Sequence, residues 1–126
     1  MQKLHVLVAD DEPHIGRIIK MKLEQGAFRV TLAYDGRKAL DVLAQHDDFA
    51  LVLLDLMMPV MDGWTFRQRQ LDIPEFAHVP VICLTAVYDP QSASQALQAP
   101  CLHKPVEMDA LLDRVEQACW SDSSEA

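Results

Sequence analysis

Five polar side chains stand at the ends of short apolar runs. Asp10 and Asp11 follow Leu4–Ala9, Asp55 follows Ala50–Leu54, Thr85 follows the run from Val79 to Leu84, and Lys104 follows Cys101–His103. Carboxylates held a few ångströms apart repel and raise one another's proton affinity, so three in one crevice call for a cation or a buried ammonium. Mg²⁺ is the natural candidate: it takes oxygen ligands, keeps several waters and bridges carboxylates to phosphate oxygens. The three cysteines are widely spaced and the five histidines scattered, which is not the thiolate and imidazole pattern of a zinc site. Phosphoryl transfer needs an in-line nucleophile and charge stabilisation around the equatorial oxygens. Asp55, Lys104 and Thr85 fill those roles, and a carboxylate nucleophile gives an acyl phosphate, phospho-Asp55.

Singly, each residue has a plainer reading. Asp10 and Asp11 could equally be a solvated turn capping a helix, Asp55 and Lys104-Pro105 loop residues, and Thr85 a hydroxyl bonded to nearby backbone. Their joint placement by the elements outweighs those readings. Leu4–Ala9 and the run from Arg29 to Ala33 are predicted strands. Ala50–Leu54 is apolar on both faces, as a central parallel strand covered by helices must be. The run from Val79 to Leu84 and Cys101–His103 complete five strands. A helix is predicted from His14 to Gln25 on Ile15, Ile18, Ile19 and Leu23, stopped by Gly26, and another after the Asp35 cap on Ala39, Leu40, Leu43 and Ala44. A third opens at Asp62-Gly63 and runs through Trp64, Phe66 and Leu71, its stripe weakened by Gln68 and Gln70. Asp89-Pro90 starts a short fourth on Ala93, Ala96 and Leu97, and Met108, Leu111, Leu112, Val115 and Cys119 mark a fifth from Val106 onward.

Alternating strands and helices predict an α/β fold: a flavodoxin-like five-stranded parallel sheet of order 2-1-3-4-5, with five helices on both faces and the fourth short or irregular. In that order the five polar residues meet at the carboxyl ends of neighbouring strands. The 126 residues suit one core, with residues 1–120 as the domain and 121–126 as a polar tail or the start of a linker. Half the residues are apolar and 24% charged, which excludes wholesale disorder. A net charge of −8 with no basic cluster disfavours nucleic acid or an anionic membrane as a direct partner. The absence of a signal-like start and the expectation of Cys83, Cys101 and Cys119 as buried, unpaired thiols suit the cytoplasm.

From Leu4 to Cys119 the sequence resembles the receiver domains of response regulators in two-component signalling, and chemotaxis regulators in particular. The ordered signposts are Asp10-Asp11-Glu12-Pro13, Leu53-Leu54-Asp55-Leu56-Met57-Met58-Pro59 with Met61-Asp62-Gly63, Leu84-Thr85-Ala86, and Lys104-Pro105. The resemblance implies that Asp11, Asp55 and the Met57 carbonyl bind Mg²⁺, with Asp10 acting largely through water. It also implies that Lys104 contacts the phosphoryl group, Thr85 donates its hydroxyl, small Ala86 leaves room for phosphoryl oxygens, and Lys104-Pro105 is cis. The implied donor is a sensor histidine kinase or a histidine phosphotransfer protein. The recipient is an output domain or target protein, a homodimer is allowed, and the protein is a switch rather than a turnover enzyme.

The sequence departs from the family in three places. Cys101 stands where many receivers carry a Tyr or Phe coupled to the hydroxyl residue, so that readout does not carry over. The segment from Thr85 to Lys104 is short, with Pro100 at the entry to the last strand, which predicts a reduced or displaced fourth helix and a changed output surface. Met57 and Val87 are apolar beside the acceptor and the hydroxyl, which predicts a long-lived phosphoryl group. Two other classes share parts of this pattern. A haloacid-dehalogenase-like phosphatase would need a second aspartate where Met57 stands. A pseudo-receiver serving as a phosphorylation-independent interaction or dimerisation domain is the other. The histidines, Met57, Met58, Met61 and Trp64 are assigned to structure and packing, while Cys119 and Trp120 either pack or meet a partner.

Overall fold

The computed structural model describes residues 3–86 and 89–124. Ten elements alternate along the chain: β1 (Leu4–Ala9), α1 (Pro13–Glu24), β2 (Phe28–Ala33), α2 (Gly36–Gln45), β3 (Phe49–Asp55), α3 (Gly63–Leu71), β4 (Val81–Thr85), α4 (Pro90–Leu97), β5 (Cys101–His103) and α5 (Met108–Ser124). The strands form one parallel sheet in the order β2-β1-β3-β4-β5, as predicted.

Side chains of β3 alternate between two apolar cores. Val52 and Leu54 join Ala39, Leu43, Phe66, Ala93 and Leu97 on the face covered by α2, α3 and α4. Leu51 and Leu53 join Ile19, Leu23, Leu111 and Val115 beneath α1 and α5. A strand apolar on both faces is driven to the middle of the sheet, since any edge or one-sided position would leave half of it wet.

Helix starts follow local chemistry. Asp35, Asp62 and Asp89 each accept a hydrogen bond from the backbone N–H three residues on, at 2.7, 2.8 and 3.1 Å. Proline occupies the first turn of α1 and of α4, where its missing N–H costs nothing. The fourth helix is short, as expected, and ends at Gln98 in the left-handed region, φ 54°.

Several expected faces turn out differently. Ile18 of α1 is exposed and Gly16 is buried instead, facing the side chain of Leu32. In α2 Val42 is buried rather than Ala44, and in α4 Ala96 faces solvent. In α3 the buried residues are Gly63, Phe66, Arg67 and Gln70, while Trp64 and Leu71 are exposed. The strand expected from Val79 starts at Val81, and α5 begins at Met108 rather than Val106 and continues through Ser124, beyond the expected end of the domain. The Trp120 ring lies 5.2 Å from that of buried Phe28, so it packs on one side, while the residue stays 38% exposed. The cysteines are unpaired as expected; Cys83 is buried, but Cys101 and Cys119 are only partly buried, short of the expectation.

Candidate functional site

Parallel strands all end at the same edge, so the order β1-β3-β4-β5 sets Asp10, Asp55, Thr85 and Lys104 side by side. Asp10 and Asp55 are nearly enclosed, 2% and 4% exposed, and Thr85 is fully buried. Asp11 is exposed at the rim, yet one carboxylate oxygen from each of Asp10, Asp11 and Asp55 lies within 4.8 Å of the other two. Such a cluster of hard oxygen donors fits a Mg²⁺ ion better than a soft metal.

Lys104 reaches into the same space. Its Nζ donates to Asp10 Oδ2 at 3.1 Å and stands 3.4 Å from Asp55 Oδ2, with Glu12 Oε1 at 4.0 Å. The backbone fixes its approach, because Lys104 N–H donates to the Thr85 carbonyl at 2.7 Å and the following peptide bond to Pro105 is cis. Burial works against the ammonium, but Asp10 and Asp55 outweigh it and hold its pKa above the ordinary lysine value. Asp55 behaves oppositely. Burial, helped slightly by Asp10, lifts its carboxyl to about 6 against the pull of Lys104 and of the Met57 N–H, which donates to Asp55 Oδ1 at 3.2 Å. Asp10 Oδ1 accepts from the Glu12 N–H at 3.0 Å, so the acidic turn is folded back on itself.

The loop from Asp55 to α3 is tightly built. Gly63 N–H donates to the Leu56 carbonyl at 2.9 Å, and a Cβ at Gly63 would stand 2.5 Å from the Asp55 carbonyl oxygen. A Cβ at Gly36 would meet the Met61 carbonyl at 2.0 Å, so the turn into α2 rests on the same loop. Within it Met58 is buried and Met61 partly so, as expected, but Met57 is 64% exposed and does not pack. Ala86 is exposed at the mouth of the site, and Val87 lies outside the described residues.

The sequence brought the five polar positions together but gave no role to Arg67, and Gln70 entered only as a residue that weakens the apolar stripe of α3. His5 is also more engaged than expected: at the far end of the sheet it is buried between Asp48 Oδ1 (3.0 Å) and Thr31 Oγ1 (2.7 Å), stacked on Phe49. That is a structural role.

Fold and site together define a doubly wound α/β protein with a carboxylate and lysine cluster at its topological switch point. The response regulator receiver domain family matches residues 6–116, and the chain belongs to that family. Response regulator Rre1 of Synechocystis sp. (strain ATCC 27184 / PCC 6803 / Kazusa) is 37% identical over 114 residues, covering 87% of this chain and 49% of that protein. A transcriptional regulatory protein of Bacillus subtilis (strain 168), YkoG, is 33% identical over 94% of this chain and 52% of its own length. The chain thus spans about half the length of these relatives. Among solved structures, the chemotaxis response regulator CheY4 of Vibrio cholerae superposes with a TM-score of 0.85 at 27% identity, covering 93% of this chain and 99% of that one. The receiver domain of the Francisella response regulator 1452 gives 0.83 at 31% identity, covering 95% and 99%.

Proposed function

We propose that the chain is a phosphoacceptor switch in which Asp55 takes a phosphoryl group from a phosphohistidine of a sensor kinase or phosphotransfer protein. The observation that carries this reading is Lys104 Nζ, held 3.1 Å from Asp10 and 3.4 Å from Asp55 beside a third carboxylate. In the transfer an Asp55 carboxylate oxygen forms the new O–P bond as the N–P bond to the donor imidazole breaks. Lys104 neutralises charge on the phosphoryl oxygens, Thr85 donates its hydroxyl to one of them, and exposed Ala86 leaves them space. Asp11, Asp55 and the Met57 carbonyl are the proposed Mg²⁺ ligands, with Asp10 held through water; the bound ion would supply charge neutralisation at the phosphoryl oxygens. Residues 1–120 form the working unit, a cytoplasmic phosphoprotein that is altered by its phosphoryl group and turns over no other substrate.

Incubation with acetyl phosphate and Mg²⁺ should add one phosphate by intact mass, stable in acid and labile in base. Asp55→Asn should take none. A chain that stays unmodified with acetyl phosphate and with phosphoramidate would favour a phosphorylation-independent interaction domain.

A further inference from the structure

Arg67 and Gln70 occupy the buried face of α3, where a helix of this kind ordinarily carries apolar side chains. The Arg67 guanidinium donates from Nε to the Leu97 carbonyl at 2.9 Å, from one terminal nitrogen to the Gln98 carbonyl at 3.0 Å, and from the other to Gln70 Oε1 at 2.8 Å. Gln70 is held in turn, its amide nitrogen donating to the Phe76 and Val79 carbonyls at 3.1 and 2.9 Å. No carboxylate is among these partners. The buried cation is balanced by the carbonyl end of α4, the negative pole of that helix.

We infer that Arg67 is a positioning residue that carries the state of the acceptor loop to α4. This rests on the reading of Asp55 as the phosphoacceptor. The start of α3 is fixed to the acceptor by the Gly63 N–H bond to Leu56 and by the close approach of Gly63 to the Asp55 carbonyl. A change at Asp55 therefore acts on the position of α3. Apolar contacts between two helices tolerate sliding, but a planar fork bonded to two carbonyls at the end of α4, and held in line on its own helix by Gln70, does not, because hydrogen bonds weaken steeply with distance and angle. If the fork slips, a buried guanidinium is left unsatisfied, which is strongly unfavourable. The helices must then move together or part, which is the two-state behaviour a switch needs. The device also suits a chain in which Cys101 has no aromatic ring to turn.

Hydrogen exchange of the Pro90–Leu97 amides, followed by mass spectrometry with and without acetyl phosphate and Mg²⁺, tests this. In the wild type, phosphorylation should change exchange across α4 at least threefold. In Arg67→Met the phosphate count by intact mass should be unchanged, basal α4 exchange should be faster, and the response to phosphate should vanish. Arg67→Lys, which keeps the charge without the fork, should recover part of the basal protection but not the response. The double variant Arg67→Met with Gln70→Leu keeps the face packed should the single variant fail to fold. A full α4 response in the Met variants, or none in phosphorylated wild type, overturns the proposal. A wild-type chain that takes no phosphate overturns the acceptor reading beneath it, and intact mass tells that failure from the first two.

Discussion

Asp55 has to remain ionised to act as a nucleophile, yet the fold buries it beside Asp10, and Lys104 only partly compensates. That tension has a sign. Between the ordinary carboxyl value of 3.8 and about 6, the folded protein holds a proton on Asp55 that the unfolded chain has already released. Raising the pH through that window therefore destabilises the fold, by up to about 3 kcal/mol at 1.36 kcal/mol per pH unit. Asp55→Asn is neutral throughout and lacks this slope. In EDTA, urea unfolding should show the variant gaining about 2 to 3 kcal/mol on the wild type between pH 4 and pH 7. Adding Mg²⁺ should narrow the gap at pH 7, because an ion bound to the ionised carboxylate stabilises the folded wild type. A gap independent of pH would mean that Asp55 titrates normally despite its burial.

The loop joining β3 to α3 is the element under most strain. Val60 has a φ of 68°, a left-handed conformation in which a β-branched residue is an outlier, and its side chain is 83% exposed. That conformation costs about 1 to 2 kcal/mol, and no packing in the folded chain offsets it. Val60→Asn, with a residue that tolerates this region, should raise the urea midpoint by about 1 kcal/mol at an unchanged denaturant slope. Gly63 is the opposite case, since the atoms its Cβ would meet are backbone and cannot swing away. Gly63→Ala should cost about 2 to 3 kcal/mol and slow acetyl phosphate labelling of Asp55 by about tenfold, because α3 must lift off the acceptor. At this scale the sequence was legible where a residue's role is local. The aspartate caps, the helix-starting prolines and the doubly apolar β3 could all be read directly. Arg67 and Gln70 could not, because their burial depends on which carbonyls a distant helix end presents. Nor could exposed Met57 and Trp64, since apolar character alone does not say which side of a short loop or weakly striped helix meets water. The site was legible as five positions because strand ends in a parallel sheet share one edge, whereas the pairing of Lys104 with Asp10 ahead of Asp55 required coordinates.

Across the whole molecule, the site end of the sheet is acidic and the far end is closed by α5. The net charge of −8 and the three-carboxylate edge set the electrostatics of encounter: a phosphohistidine donor with basic groups around its histidine would be drawn in, and salt would weaken that attraction. A phosphoryl group on Asp55 would carry close to two negative charges in place of the carboxylate's one, so cations at the site would matter most once the group is attached. At the far side, α5 completes the second core through Leu111 and Val115, and Trp120 covers Phe28. The folded unit should therefore extend at least through Trp120. A chain ending at residue 120 keeps Leu111, Val115 and Trp120 and should unfold within about 0.5 kcal/mol of the full sequence. Trp120→Ala should cost about 2 kcal/mol, roughly half the penalty for a fully buried tryptophan, because the ring is 38% exposed. Both follow from one set of urea curves read by circular dichroism. If truncation after residue 120 cost as much as losing the indole ring, the last turn of α5 would belong to the fold, and the working unit would have to be redrawn to include it.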